Sequence, residues 1–180
     1  MIYLFLAEGF EEIEALTPVD LLRRAGAEVT VVSVNDAPVV FGSHRIGVLT
    51  DKALSSCEFD DAEMLVLPGG MPGTLNLGKC ERLCSLLKEK AAGDTFIAAI
   101  CAAPSVLGKL GLLKGKKAVC YPGFESSLTG AEVSVKKVVR DGNVITAAGM
   151  GVALDFGLEL VSALFGSEKA EELRKSVIAR

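Results

Sequence analysis

Short apolar runs alternate with segments of helical length along the whole chain, and this alternation is the strongest constraint on the fold. Most of the runs are continuously apolar, which is typical of strands that are covered by helices on both faces. Strands and helices in alternation indicate a mostly parallel sheet. The sequence therefore predicts an α/β sandwich with helices on both faces of the sheet. The predicted strands are residues 2–7, 28–34, 64–67, 95–99, 117–121 and 143–147.

Capping signals define the first predicted helix. Thr17 is a candidate N-cap, Pro18 fits the first helical position, and Gly26 ends the helix after Arg24. Further helices are predicted over residues 80–92, 104–110, 151–165 and 168–178. Residues 39–49 predict one hairpin, and Asp141-Gly142 is the turn of a second, between residues 132–139 and 144–146. No repeat or linker interrupts the pattern, so we expect one domain over residues 1–180.

Composition excludes several classes of protein. The chain is 50% hydrophobic and 23% charged, which is enough apolar material for a substantial core. Its longest uncharged stretch, residues 64–78, is broken by prolines and glycines and cannot span a bilayer. The first apolar run is followed by acids and preceded by no basic residue, unlike a signal peptide, so we expect a cytoplasmic protein. A net charge of −4 with scattered basic residues indicates no nucleic-acid partner.

Cys101 lies where a predicted buried strand leads directly into a helix that begins at Pro104. The chain has five cysteines without a repeated spacing, which argues against a disulfide framework. A side chain on so sharp a turn needs small neighbours, and Ala99 and Ala103 provide them, as in a nucleophile elbow. The free N–H groups at the helix start favour thiolate over thiol. This segment alone is compatible with a reactive cysteine or with a buried structural one.

A glycine-rich turn, residues 68–73, follows another predicted strand. Glycines let backbone N–H groups approach a bound anion, so the N–H of Gly70 could stabilise an oxyanion together with the N–H of Ala102. A tight turn that needs glycine only for steric reasons is the alternative. Phosphate binding is disfavoured because neither a Walker pattern nor a complete dinucleotide fingerprint is present.

Several acidic residues follow the first strand, and most of them are expected to be solvated charges at a helix start. Glu14 differs because apolar residues flank it, so it is the candidate to point inward, although position alone does not separate it from Glu11 or Glu12. A buried carboxyl beside a thiol can move protons to and from a substrate. If Glu14 is protonated and hydrogen-bonded to the Cys101 thiolate, we expect the thiol to titrate below about 8.5 and the carboxyl above about 4.3.

The remaining candidates carry weaker signals. Cys80 and Cys84 lie four residues apart without further ligands of matching type, so we predict no metal site. His44, the only histidine, is expected to be an exposed loop residue. Tyr121 and Glu125 follow a later strand and could reach the crevice that contains the candidate thiol.

Four segments carry a family resemblance: LAEGFEEIE at residues 6–14, followed by TPVDLLRRAG at 17–26; LPGG at 67–70; AICAAP at 99–104; and TAAGMG at 146–151. In this order they resemble the DJ-1/ThiJ/PfpI superfamily, and within it the DJ-1 clade, over essentially the whole chain. The resemblance implies a flavodoxin-like three-layer sandwich that usually forms a homodimer. It implies that Cys101 is the nucleophilic or oxidisable cysteine, that Glu14 is its carboxyl partner, and that the N–H groups of Gly70 and Ala102 bind an oxyanion.

Some positions depart from the family pattern. Tyr121 precedes Pro122 where many relatives place a histidine, which disfavours hydrolysis by a Cys–His pair. Ala148 stands where some relatives have arginine, and Arg45 is a candidate for another basic position near the site. We therefore expect few positive charges around a bound ligand.

The resemblance implies chemistry without a cofactor on a small carbonyl or glycated substrate. The first hypothesis is a glyoxalase or deglycase that acts on methylglyoxal or its adducts in oxidative-stress defence. The alternative is a redox sensor in which Cys101 is oxidised to sulfinate. A chaperone or a peptidase is a third possibility, but it requires an exposed apolar patch or a base beside the thiol, and the sequence indicates neither.

Overall fold

A seven-stranded sheet forms the centre of the computed structural model, which describes residues 1–179. Its strands are β1 (Ile2–Leu6), β2 (Val29–Ser33), β5 (Lys52–Ala53), β6 (Met64–Leu67), β7 (Phe96–Ile100), β10 (Val138–Asp141) and β11 (Val144–Ala147). Their order in the sheet is β10-β11-β7-β6-β1-β2-β5, and all neighbours are parallel except β10 and β11, which are antiparallel. Outside the sheet, β3 (Val39–Phe41) pairs with β4 (Gly47–Leu49), and β8 (Lys117–Ala118) pairs with β9 (Glu132–Val133).

Helices cover both faces of the sheet. They are α1 (Glu12–Arg24), α2 (Gly73–Lys79), α3 (Glu81–Ala91), α4 (Pro104–Lys109), α5 (Ala153–Phe165) and α6 (Ser167–Ser176). Successive side chains of β1 point to opposite faces: Leu4 joins a core with α1, α5 and α6, whereas Phe5 joins a core with α2, α3 and α4. The three-layer, mostly parallel sandwich predicted from the sequence is therefore confirmed. No helix among the described residues is long and apolar enough to cross a membrane.

One predicted strand is wrong in length and in place. Residues 117–121 were expected in the central sheet, but only Lys117–Ala118 is a strand, and it pairs with β9. The next residues cross the ends of the central strands instead. The N–H of Val119 donates to Oγ1 of Thr146 at 3.0 Å, and the N–H of Tyr121 donates to the carbonyl of Cys101 at 2.8 Å. These contacts satisfy the backbone polar groups that a sheet would otherwise pair.

The predicted start of the first helix is also wrong. Helix α1 begins at Glu12, and Pro18 lies inside it. A proline costs a helix one hydrogen bond, but here it packs against Gly157 of α5, so tertiary contact overrides the local signal. The predicted end is confirmed, because the helix stops at Arg24 and Gly26 has a φ of +93°. Helix α2 was not predicted, since the prolines and glycines before it indicated only a turn.

Candidate active site

Three adjacent strands bring the candidate residues together. Strands β1, β6 and β7 are parallel neighbours, so the segments that follow them meet at one edge of the sheet. Those segments carry Glu14, the turn with Gly69 and Gly70, and Cys101. This explains how residues almost ninety positions apart in sequence form one site.

Cys101 occupies the sharp turn between β7 and α4 that the sequence predicted. Its φ is +65°, a left-handed conformation that residues other than glycine rarely adopt. The turn is held on both sides: the N–H of Cys101 donates to the carbonyl of Ala147 at 2.9 Å, and its own carbonyl accepts from Tyr121. Ala99 and Ala103 are fully buried, so no larger side chains would fit around the turn. Backbone strain of this kind, maintained by surrounding contacts, is typical of functional sites.

Glu14 is the inward-pointing acid. It is fully buried, and its Oε2 accepts a hydrogen bond from the N–H of Gly69 at 2.9 Å. Its other oxygen, Oε1, forms no hydrogen bond of good geometry with any described residue. The carboxyl faces the Cys101 thiol, and each group changes the pKa of the other. The expectation that Glu14 is buried beside the thiol is thus confirmed.

Gly69 provides the space for this pair, and sequence reasoning missed its role. A Cβ added to Gly69 would lie 2.5 Å from Oε2 of Glu14 and 2.7 Å from Cβ of Cys101. Neither distance is possible for a real side chain. Sequence reasoning selected Gly70 because of its N–H, but nothing in the local sequence shows which glycine lies against the thiol.

The two ionisable groups both have raised pKa values. Burial raises the pKa of Glu14 to about 7, and the nearby charge of Glu11 acts in the same direction. Burial, followed by the charge of Glu14, raises the pKa of the Cys101 thiol to about 12. The expected rise for the carboxyl is confirmed. The expected fall in the thiol pKa is wrong for the site with Glu14 ionised. Desolvation of the thiol and repulsion by the Glu14 carboxylate outweigh the effect of the N–H groups at the helix start.

Two backbone N–H groups reach the sulfur. The N–H groups of Ala102 and Gly70 lie close enough to the Cys101 thiol to oppose the rise in its pKa. Gly70 has a φ of +92°, and a Cβ there would collide with the backbone of Phe10 and Glu11. Glycine is therefore required for the turn to pack against the segment that follows β1. These two N–H groups are the kind of donors that stabilise a negatively charged oxygen on a carbon atom bonded to the Cys101 sulfur.

The other predicted pocket residues are placed less closely. Tyr121 is half exposed and reaches Cys101 through its backbone N–H, with its ring against Gly149. The carboxylate of Glu125 accepts from the N–H of Gly123 and its charge acts on Cys120, with no contact to Cys101. Arg45 lies in the turn between β3 and β4 with a φ of +62°, and its side chain forms no hydrogen bond or ion pair with a described residue.

A second polar cluster lies beside this site and was not predicted. Nδ1 of His44 lies 2.8 Å from Oε2 of Glu12 and 3.5 Å from Oε2 of Glu11. The Glu12 carboxylate also accepts from the backbone N–H of His44 at 2.8 Å, which fastens the β3–β4 hairpin to α1. The donor atoms of these three residues lie within 4.8 Å of one another and are able to approach a cation. His44 is an exposed loop residue, as predicted, but it is engaged with Glu12 instead of the thiol.

The cysteine on a strained strand-to-helix turn and the buried carboxyl beside it thus lie in a three-layer sandwich of the flavodoxin-like class. Comparison with known families makes the assignment specific. The chain belongs to the DJ-1/PfpI family, whose family model matches residues 1–163.

Individual relatives agree with this assignment. Protein dj-1beta of Drosophila melanogaster is 39% identical over 175 residues, which are 96% of this chain and 94% of that protein. The glutathione-independent glyoxalase DJR-1.2 of Caenorhabditis elegans is 32% identical, covering 93% of this chain and 90% of the other. The structure of oxidised Toxoplasma gondii DJ-1 superposes with a TM-score of 0.95 at 36% identity, over 99% of this chain and 97% of that one. The suspected membership in the DJ-1 clade is confirmed.

Proposed function

We propose that the protein is a cofactor-independent, thiol-dependent glyoxalase or deglycase that acts on methylglyoxal or its adducts. The observation that carries the proposal is the Cys101 thiol, which faces the buried carboxyl of Glu14 and receives two backbone N–H groups. These are a nucleophile, a proton carrier and an oxyanion site in one place. The name of the Caenorhabditis elegans relative, a glutathione-independent glyoxalase, supports this choice of reaction.

The raised pKa values define how the pair begins the reaction. Near pH 7 about half of the Glu14 carboxyls are ionised, while the thiol holds its proton. The sulfur of Cys101 attacks the aldehyde carbon of methylglyoxal as its proton moves to Glu14. The carbonyl oxygen becomes an alkoxide beside the N–H groups of Gly70 and Ala102, and then takes the proton to give a hemithioacetal. A base with a pKa near the working pH is suited to both transfers.

The later steps use the same carboxyl. Ionised Glu14 removes the proton from the carbon bound to sulfur and returns it to the neighbouring carbon. The hydroxyl proton passes from the oxygen of the first carbon to the oxygen of the second, which converts the hemithioacetal into a thioester of lactate. Water then cleaves the thioester, releasing lactate and restoring the Cys101 thiol. The sum is one methylglyoxal and one water for one lactate, so no external oxidant or reductant is needed.

The test is lactate formation from methylglyoxal by the wild type, by Cys101→Ser and by the matched control Cys120→Ser. We expect Cys101→Ser to lose on the order of 10³-fold or more in turnover, because an alcohol is a much weaker nucleophile at this position. Cys120→Ser should retain turnover within about twofold. Activity should also persist in the presence of a chelator. Lactate formation by Cys101→Ser at the wild-type rate would exclude the proposal.

Redox sensing is the second candidate, and the unpaired Oε1 of Glu14 favours it. Oxidation of the thiol to sulfinate reduces two peroxide molecules to water and adds two oxygens to the sulfur. The N–H groups of Ala102 and Gly70 and a protonated Glu14 would donate to those oxygens. Mild peroxide followed by intact-mass analysis should show a two-oxygen gain that Cys101→Ser lacks. A gain of the same size in Cys101→Ser would refute it.

We further propose that two copies of the chain associate through α1 and the β3–β4 hairpin. Ile13 and Leu16 of α1 are 49% and 39% exposed, and Phe41 and Ile46 of the hairpin are 49% and 55% exposed. Large apolar side chains grouped in this way are typical of subunit interfaces. Leu16→Glu should shift the sedimentation coefficient to that of a monomer. The control Val135→Glu, at a fully exposed loop position, should not, and a monomeric wild type would contradict the proposal.

A further inference from the structure

A small cavity lies between helices α2 and α4 and the 3₁₀ turn Glu125–Ser127, apart from the cysteine site. Its volume is about 190 Å³, below the range of drug-sized pockets. Its walls are formed by close helix contacts. A Cβ on Gly78 would lie 3.6 Å from Val106, and a Cβ on Gly108 would collide with the carbonyl oxygen of Ser127. The space is therefore bounded by packed backbone.

Two lysines lie at the edge of this cavity. Lys79 is the last residue of α2 and Lys109 is the last residue of α4, and both line the cavity. Neither forms an ion pair with a residue in the described range, and no carboxylate among those residues lines the cavity. Both lysines at the edge of the cavity are thus left without a carboxylate partner.

One of the residues that line the cavity has a buried hydroxyl without a partner. Thr74 lines it and is 3% exposed, yet its Oγ1 has no hydrogen-bond partner in the described part of the chain. A buried polar group left unpaired destabilises a protein by about 1–3 kcal/mol, so such groups commonly mark a place for a ligand or water. Ser105, 4% exposed, and Ser127 add two further hydroxyl-bearing side chains to the lining. Val106, Leu75 and Phe124 form its apolar part.

We infer that this cavity binds a small organic phosphate monoester. The phosphate would take hydrogen bonds from Lys79, Lys109 and the hydroxyl of Thr74, and the organic group would contact Val106 and Phe124. Lysine binds phosphate as a point charge, and charge-assisted hydrogen bonds are about twice as strong as neutral ones. The volume limits the organic group to a short chain or one ring.

The site is close to the catalytic turns without sharing their residues. The N–H of Thr74 donates to the carbonyl of Gly70 at 2.9 Å, and the N–H of Ser105 donates to the carbonyl of Ala102 at 3.1 Å. Thr74 therefore lies one turn after Gly70, and Ser105 lies one turn after Ala102. Gly70 and Ala102 are the two residues whose N–H groups lie near the Cys101 sulfur. The inference does not depend on the activity of Cys101.

The first test is calorimetric titration of the full chain with phenyl phosphate, inorganic phosphate and phenol. We expect saturable binding of phenyl phosphate that is at least about tenfold tighter than that of either fragment, because only the ester uses both halves of the cavity. The double variant Lys79→Gln/Lys109→Gln should weaken it about tenfold or more. The control Lys136→Gln/Lys137→Gln removes the same charge elsewhere and should leave the affinity within twofold. No saturable binding to the wild type, or wild-type affinity in Lys79→Gln/Lys109→Gln, would overturn the inference.

Two further measurements locate the ligand. Thr74→Val removes the unpaired hydroxyl with little change in shape, so we expect weaker binding of phenyl phosphate together with a melting temperature that is equal or higher. Wild-type affinity in Thr74→Val would show that Thr74 does not contact the ligand and would overturn the assignment.

Carboxamidomethylation of Cys101 should leave the affinity for phenyl phosphate unchanged. Loss of binding would place phenyl phosphate at the cysteine site and refute a separate cavity.

Discussion

Cys101 and Cys120 are neighbours in the fold, and comparing them shows which property makes a thiol chemically useful. The residue after Cys120 donates its N–H to the carbonyl of Cys101. Burial raises both thiol pKa values, to about 12 and about 11. Cys120 is 4% exposed in an apolar cluster, and one backbone N–H, that of Phe124, reaches its sulfur. Cys101 has a φ of +65°, two N–H donors and a buried carboxyl.

The comparison indicates that a thiol pKa alone does not single out the proposed nucleophile. A high pKa disables a thiol only when no base is present to take the proton. Cys101 has that base in Glu14, whereas the nearest charge on Cys120 comes from Glu125, whose carboxylate is occupied by the N–H of Gly123. The two cysteines therefore differ more in the group beside the thiol than in the pKa of the thiol.

The largest effect should come from removing the base. Glu14→Gln and Glu14→Leu should lower turnover of methylglyoxal by about 10²–10⁴-fold, since proton transfer contributes that much. Both should lower the pKa of Cys101, measured by ultraviolet thiolate absorbance in a Cys120→Ser background, because the negative charge is gone. Glu14→Leu should also retain less sulfinate after mild peroxide, because it lacks a donor. Glu125→Gln is the matched control on the Cys120 side and should leave turnover within about twofold. Equal turnover in Glu14→Gln and the wild type would remove the distinction between the two thiols.

The same carboxyl should make the stability of the fold depend on pH. Folding raises the pKa of Glu14 from 4.5 to about 7, so its contribution is fully present below pH 4.5 and is lost as the pH rises through about 7. We expect the free energy of unfolding to fall by about 3 kcal/mol across this window, at about 1.4 kcal/mol per pKa unit. Urea unfolding of the wild type and Glu14→Gln at several pH values measures this. Parallel curves for the two proteins would show that Glu14 titrates normally.

A smaller effect is expected from closing the space that Gly69 leaves. The Cβ of Gly69→Ala would press on both Cys101 and Glu14, and displacements of this kind lower turnover by about tenfold to a hundredfold. Gly151→Ala is the control, because no heavy atom lies within 4 Å of its added Cβ. Turnover by Gly69→Ala equal to that of Gly151→Ala would indicate that the pair tolerates displacement.

The smallest effect concerns Cys120 itself. Cys120→Ala should cost about 1 kcal/mol of stability through a small cavity and leave turnover within about twofold.

The cysteines should also differ in their rates of alkylation at neutral pH, measured by peptide mass analysis. Cys101 should react fastest, and Cys57 and Cys120 should react more slowly because both are buried without a base. Equal rates for Cys101 and Cys120 would remove the reactivity difference that the comparison predicts.

The sequence predicted the parts of the site that are encoded locally. A strand that leads into Cys101 and then into Pro104 specifies a sharp turn within a few residues, and the structure has it. The parallel sheet follows from the apolar runs. In both cases short segments contain the information. The apolar neighbours of Glu14 made it the candidate to point inward, but the local sequence did not separate it from Glu11 or Glu12.

The parts that were missed depend on contacts between distant segments. The hairpin that brings His44 to Glu12 comes from residues more than thirty positions away, so no local pattern announces the pair. The start of α1 was misplaced because Pro18 is stabilised by Gly157 on another helix. The rise in the thiol pKa was missed because the degree of desolvation is a property of the folded site, and the helix-start argument alone has the opposite sign.

The missing side chain at Gly69 has a consequence for how such a sequence can diverge. One position limits the space available to both the nucleophile and its base, so a substitution there cannot be accommodated by adjusting either partner alone. Lineages that keep a cysteine and a glutamate at these two positions should retain a glycine between them. Where the glycine is lost, the cysteine or the glutamate should be lost with it, and the three positions should therefore change together in a family alignment.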